Sequence, residues 1–401
     1  MYERFEFHEK VTGPVARELF HRIAANRTTL SPRIVDKPLA LYGAGNLGRM
    51  AREYFHRLGV PVEFFVDANA ARLRDDPCWA CVRLFSPEEV SLDTRASLLL
   101  AVCVATSPYV ELARRLREAG WNDVVPFYDI AESFRHRHPL SNGWFAPPLT
   151  PSEITRVETV LDTWFDDTSR AHHLQFIAWR RLRQEWLFDT APITLDDRFF
   201  IPEVMVALTD NESFADVGAH VGSVTRRFIN ATAGCFRHIW AIEPDAKNLA
   251  DLNAAVAKEE PEVGRRVEVI PAVMASDSHG RKFLDGLGYA SQCCDLGTLL
   301  PSRTLDELGL VPTYIKLHLE GAELDVLRGA IATITHHRPI IAATCYHNAD
   351  GLYALPSWLM DNLYEYHFYF RKHSWCGTGS VVYCLPKSIG VSGMKSTKET
   401  V

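Results

Sequence analysis

The chain has 401 residues, 47% of them hydrophobic and 23% charged, with 43 Lys+Arg against 50 Asp+Glu for a net charge of −7. At roughly 100–200 residues per domain this is length for two or three domains with their own cores, and the mildly acidic balance lacks the footprint of a nucleic-acid binder. Nine scattered cysteines suit reduced thiols in a cytoplasmic protein, the charged start MYERFEFHEK is unlike a secretory signal, and the longest apolar run, 98–105, is too short to cross a membrane.

The first 30 residues suggest an amphipathic helix or an irregular lead-in. Regular structure begins after Pro32 and Pro38, with an apolar strand at 39–42, the turn Gly43-Ala44-Gly45-Asn46-Leu47-Gly48, and a helix carrying Met50, Tyr54, Phe55 and Leu58 at helical spacing. A second strand, 62–66, ends at Asp67, nineteen residues beyond Gly48. Strand, glycine turn, helix and a terminal acid form the context of a dinucleotide fingerprint, with Gly43, Gly45, Gly48 and Asp67 as its residues. Further strands at 98–105 and 124–127, flanking a helix at 110–119, complete a Rossmann-like domain over 32–130. Cys78 and Cys81 make a lone C-x-x-C with no second pair at zinc-site spacing, and no metal site is assigned.

Residues 131–194 are expected to form a linker, irregular over 135–151 and helical over 151–188. The cluster Arg180, Arg181, Arg183 is expected to be a solvated helix face. A second αβ series follows over 195–387. Its strands are predicted at 213–217, 238–242, 267–273, 314–317 and 339–345, with helices at 246–257 and 322–334. Two more strands, 365–370 and 380–384, give it an antiparallel final hairpin. The Ser-, Lys- and Gly-rich stretch 388–401 is expected to be a disordered tail.

The most informative segment is Phe214–Gly222, FADVGAHVG. A buried strand delivers Asp216, the glycines let the backbone turn and approach a ligand, and the next helix opens toward the crevice. Glu243 ends the next strand, twenty-one residues beyond Gly222, placed to accept bonds from ribose hydroxyls. An acid before the turn would repel a pyrophosphate but suits a cationic amino-acid moiety, which points to S-adenosylmethionine.

Together with AIEPD (241–245), TLDEL (304–308) and YIKLHLEGAELDVLRGA (314–330), then RPII (338–341), this segment resembles the FkbM-type methyltransferase family over about half the chain. The resemblance implies a class I methyltransferase fold, S-adenosylmethionine as donor, and O-methylation of a sugar, polyketide or similar small metabolite. Asp216, Gly218, Ala219 and Gly222 would then line the methionine end of the donor and Glu243 its ribose, while 272–277, bounded by Ala272 and Asp277, would lie beside adenine. Where family members carry Asp, this chain has His318. A neutral imidazole at a strand end could take the acceptor's proton if its pKa lies near working pH. The competing reading is packing at the strand end with lost or altered activity. Glu320 keeps a chance of touching substrate, Glu323 is expected to cap the following helix, Lys316 to pair with a neighbouring acid, and His347 is the reserve base. Tyr346, Tyr353, Trp358, Tyr369 and Trp375 could line an acceptor pocket.

The architecture expected is therefore α/β, two tandem Rossmann-like domains, the second a methyltransferase. The first leaves nucleotide, nucleotide-sugar and NAD open as ligands, and could serve for docking alone. Two alternatives are an NAD-dependent oxidoreductase or epimerase of a nucleotide-sugar, which lacks a Tyr-x-x-x-Lys pair, and a non-catalytic nucleotide-binding protein with a decayed methyltransferase domain. The expected partner is a small-molecule acceptor, with no nucleic acid and no membrane, and assembly as a homo-oligomer is left open.

Overall fold

A computed structural model describes residues 2–138, 140 and 143–387. The expected tail, 388–401, lies outside them. Nineteen strands are described: β1 Glu3–Phe7, β2 Leu39–Tyr42, β3 Val62–Val66, β4 Leu84–Phe85, β5 Leu99–Val102, β6 Asp123–Pro126, β7 Gln184–Phe188, β8 Ser213–Val217, β9 His238–Ile242, β10 Val267–Ile270, β11 Val273–Met274, β12 Arg281–Leu284, β13 Gln292–Cys293, β14 Thr298–Leu300, β15 Ser302–Arg303, β16 Tyr314–Leu317, β17 Ile340–Thr344, β18 Tyr366–Lys372 and β19 Ser380–Pro386.

They build two main sheets. The first is parallel, in the order β4-β3-β2-β5-β6, and the second runs β10-β9-β8-β16-β17-β19-β18, parallel except for β19, which is antiparallel to both β17 and β18. Alternation along the central strands of the second sheet explains its burial on both faces. Phe214, Tyr314, Ile340 and Ala342 pack on one side, and Ala215, Val217, Ile315, Leu317, Ile341 and Ala343 on the other. In both sheets the strand order reverses beside the first strand, which opens a crevice at the carboxyl edge.

The amino terminus departs from expectation. Glu3–Phe7 is a strand paired in parallel with Gln184–Phe188, the end of the stretch expected to be helical. The alternating Phe5, Phe7, Trp186 and Phe188 stack across this pair. Between β10 and β16 the chain also inserts β11 to β15, which periodicity did not reveal because each strand has only two to four residues.

The helix Asp167–Leu182 lies between the sheets, and the arginine cluster at its end is buried rather than solvated, Arg180, Arg181 and Arg183 being 1%, 3% and 1% exposed. Each guanidinium replaces water with fixed acceptors. Arg180 donates to the carbonyls of Gly143, Tyr346 and Asn348, Arg181 to those of Ala146 and Asn26, and Arg183 pairs with Asp129 at 3.1 Å. Glu185 on β7 accepts the amides of Tyr109 and Val110 at the start of helix Tyr109–Glu118, so the first domain is fastened through this helix to the β1-β7 pair. Trp375, in the loop between β18 and β19, donates its amide to Ala105 beyond the end of β5. Among the described residues no helix is long and apolar enough to cross a membrane.

Candidate active site

The site lies at the carboxyl edge of the second sheet. β8 ends at Val217, and Gly218 turns with φ +79°, where a Cβ would stand 2.0 Å from the carbonyl oxygen of His318. Only glycine lets this turn pass so close to the end of β16. The amides of Gly218 and Ala219 both donate to Ile242, and Gly222, with φ +81°, opens helix Ser223–Ala231.

Glu243 follows β9. One oxygen accepts the amide of His220 at 2.9 Å, the other that of Asp245 at 3.0 Å and the side-chain amide of Asn248 at 3.3 Å. Burial pushes its pKa up, against these hydrogen bonds. Asp245 caps helix Ala246–Val256 and also binds Gly286 and Ser291, fixing the loop 286–291 beside Glu243.

A cavity of about 1780 Å³ runs along this edge. Gly218, Ala219, Glu243, Ala272 and the loop residues Leu287, Gly288 and Tyr289 line one part, and Arg198, Phe199, His318, Glu320 and Tyr346 another. Its remaining wall comes from the first domain, where Asn46, Arg49, Met50, Glu53, His56 and Arg57 lie on one helix.

His318 sits immediately after β16. Its Nε2 is 3.2 Å from Glu320 Oε1, 3.1 Å from the Tyr346 hydroxyl and 3.4 Å from the Arg198 guanidinium, which also donates to that hydroxyl at 2.9 Å. Burial, and then Arg198, push the His318 pKa down to about 3, so the imidazole is neutral but a far weaker base than one tuned to working pH. Glu320 adopts φ +51°, a left-handed conformation that costs a non-glycine residue on the order of 1–2 kcal/mol, and this conformation sets its carboxylate between His318 and His347. Burial would raise its pKa, but the two imidazoles outweigh it and hold the carboxyl well below the usual range. His347 is 1% exposed; burial opposes its protonation, but Glu320 and Glu323 prevail and raise its pKa. Glu323 accepts His347 Nδ1 at 2.8 Å, the Thr344 hydroxyl at 2.6 Å, and the amides of Leu319 and Gly321.

The structure does not bring all the sequence candidates together. Gly218, Ala219, Glu243, Ala272, His318 and Glu320 line the cavity; Gly222 lies behind it at the helix start. Asp216 turns away from it, wholly buried, with Lys316 Nζ at 2.8 Å and the Thr225 hydroxyl at 2.7 Å. Asp277 is outside as well, paired with Arg281 and His279. Of the five aromatic candidates only Tyr346 reaches the cavity. In the first domain the cavity bypasses Gly43, Gly45, Gly48 and Asp67; Asp67 instead binds the amides of Ala44 and Asn69. Arg198, 120 residues from His318 in sequence, carried no local signal beyond the start of the second αβ series. All nine cysteines are free, with Cys78 and Cys81 exposed at the cavity's rim.

Residues 216–371 match the family model described as the methyltransferase FkbM domain. A solved structure of methyltransferase FkbM from Methylobacillus flagellatus KT is similar with a TM-score of 0.57 and 18% identity, over 93% of this chain and 98% of that one. That coverage extends over both sheets and shows a shared fold. Precorrin-6y C5,15-methyltransferase from Geobacter metallireducens GS-15 aligns at a TM-score of 0.30 and 16% identity, over 49% of this chain and 95% of that one. No curated protein matches the chain.

Proposed function

We propose that this chain, a class I methyltransferase by its FkbM domain, moves the methyl group of S-adenosylmethionine to a hydroxyl oxygen of a small acceptor such as a sugar or polyketide-like metabolite. The observation that carries this reading is a single cavity holding both the Gly218-Ala219-Glu243 edge and the His318-Glu320 pair. The residues suit this donor: a carboxylate faces the cavity where ribose hydroxyls would need an acceptor.

S-adenosylmethionine, when bound, supplies an electrophilic methyl on a sulfonium. Glu243 would hold the ribose hydroxyls, beside the loop 286–291 that Asp245 pins. The acceptor hydroxyl is received at His318 and Glu320, where positioning in line at ~3–3.5 Å supplies much of the acceleration. Arg198 and Tyr346 fix the imidazole's orientation from the other side. The acceptor's proton passes to His318 Nε2 only as the oxygen is alkylated and becomes strongly acidic, so a weak base suffices, and Glu320 Oε1 balances the charge formed.

The first domain supplies a wall of the same cavity rather than a second catalytic centre, which makes it a determinant of acceptor size. A small molecule, and neither nucleic acid nor membrane lipid, is the acceptor that the net charge of −7 favours. Calorimetric titration with S-adenosylmethionine and NAD, followed by methyl-labelling of small-metabolite extracts, tests the proposal. Binding of NAD without S-adenosylmethionine, or donor binding with no labelled product from any extract, rejects it.

A further inference from the structure

His318, Glu320 and His347 each offer one ligand atom, and the three atoms lie within 4.8 Å of one another. We propose that they form a binding site for one divalent transition-metal ion. Two imidazoles and a carboxylate are a donor set for ions such as Mn²⁺, Fe²⁺, Co²⁺ or Zn²⁺. The separations of Glu320 Oε1 from His318 Nε2, 3.2 Å, and from His347 Nε2, 3.3 Å, are those of neighbouring ligands sharing an ion with bonds of ~2.0–2.2 Å.

His347 provides an independent observation. Its Nδ1 is held by Glu323 Oε1 at 2.8 Å, while its Nε2 is buried and faces Glu320 Oε1 at 3.3 Å, outside good hydrogen-bond geometry. A carboxylate on the ring nitrogen away from the ion is what orients metal-bound histidines, and the ion would take the place of the proton on Nε2. Glu323 is itself fixed by Thr344 and two backbone amides, so the outer support is complete. Arg198 is the cation nearest the site. It is 3.4 Å from His318 Nε2 but 2.9 Å from the Tyr346 hydroxyl, and it keeps the latter bond when the imidazole lone pair turns to an ion.

His318 and Glu320 line the cavity whereas His347 closes the site from behind, so the ion's remaining positions face the acceptor space. Resting on the proposed methyl transfer, the ion would bind the acceptor oxygen and lower its pKa so that its proton leaves to solvent water in the open cavity, His318 and Glu320 then acting as ligands in place of a base.

The test uses the full chain, stripped with a chelator, without donor or acceptor, and titrated with Co²⁺ by calorimetry and by the ligand-field absorption of the bound ion. One Co²⁺ per chain is expected. His347→Gln and His318→Gln should weaken binding at least ~100-fold and Glu323→Gln by ~10–100-fold. Thermal unfolding confirms that each variant is folded; if His347→Gln is not, His318→Gln on the cavity face still decides. No stoichiometric uptake by the unmodified chain, or uptake unchanged in folded variants, overturns the site. Methyl transfer undiminished in stripped protein overturns the ion's part in holding the acceptor and leaves the methyltransferase assignment standing. Failure of methyl transfer in a chain that binds Co²⁺ through these residues does the reverse.

Discussion

Lys316 Nζ lies 2.8 Å from Asp216 Oδ1, and both side chains are sealed from solvent at the centre of the second sheet. The ammonium also donates to the carbonyl of Gly218 at 2.6 Å, so the pair fastens the adjacent strands β8 and β16 at the point where the glycine turn begins. The pair thereby holds the turn whose Gly218 lines the cavity.

Removing one partner leaves the other buried and unpaired. Asp216→Asn is expected to destabilise the protein by ~3–5 kcal/mol, read by urea denaturation, whereas Asp216→Leu with Lys316→Met should cost much less. Equal losses in the single and double variants would contradict the pairing.

Gly218 tolerates no side chain, because of both its positive φ and its contact with His318. Gly218→Ala should lower affinity for S-adenosylmethionine ~10-fold or more by calorimetry, as the turn must move to relieve the contact. An affinity within twofold of the parent would show that the turn does not shape the donor site.

Glu243 must be ionised to serve the ribose, and burial raises its pKa above the ordinary ~4.3. Donor affinity should therefore fall as pH drops toward that raised value, earlier than for an exposed glutamate. In folding, the sign is opposite: the protonated native form is favoured, so this residue's contribution to stability is lost as pH rises through its native pKa. Glu243→Gln should weaken donor binding ~10–100-fold and flatten its acid dependence. A pH dependence retained in this variant would assign it to another group.

Arg198 lines the cavity beside His318 and Tyr346, the end assigned to the acceptor. Arg198→Met is expected to lower kcat/KM for the acceptor by ~10–100-fold while the donor Kd changes little. A parallel loss of donor affinity would place Arg198 at the other end of the cavity.

The nucleotide-type series was legible because hydrophobic period and glycine turns are local signals; β3, β8 and β9 coincide with the segments read from them. Pairings across distance were not. Nothing near Arg180 announces that carbonyls from 143, 346 and 348 will replace its water, and nothing near Glu3 announces a partner at Gln184. His318 was visible as a departure within a motif and Glu320 as its neighbour near the strand end, but His347 is brought to them because β17 places its end beside that of β16. Asp216 and Asp277 mark a limit of local reading: an acid near a strand end can face a ligand or a neighbouring cation, composition does not distinguish the two, and both acids have cationic partners in this structure.

The parallel pair of β1 and β7 also has a consequence in time. Glu3 leaves the ribosome 181 residues ahead of Gln184, which at ~5–20 residues per second is a wait of roughly 10–40 s. For that interval Phe5 and Phe7 are an unmatched strand on a nascent chain whose first sheet, complete at Pro126, can already have closed. The amino terminus, first to be made, can thus dock only after the first sheet is complete, and it does so before the strands of the second sheet, β8 to β19, have been made.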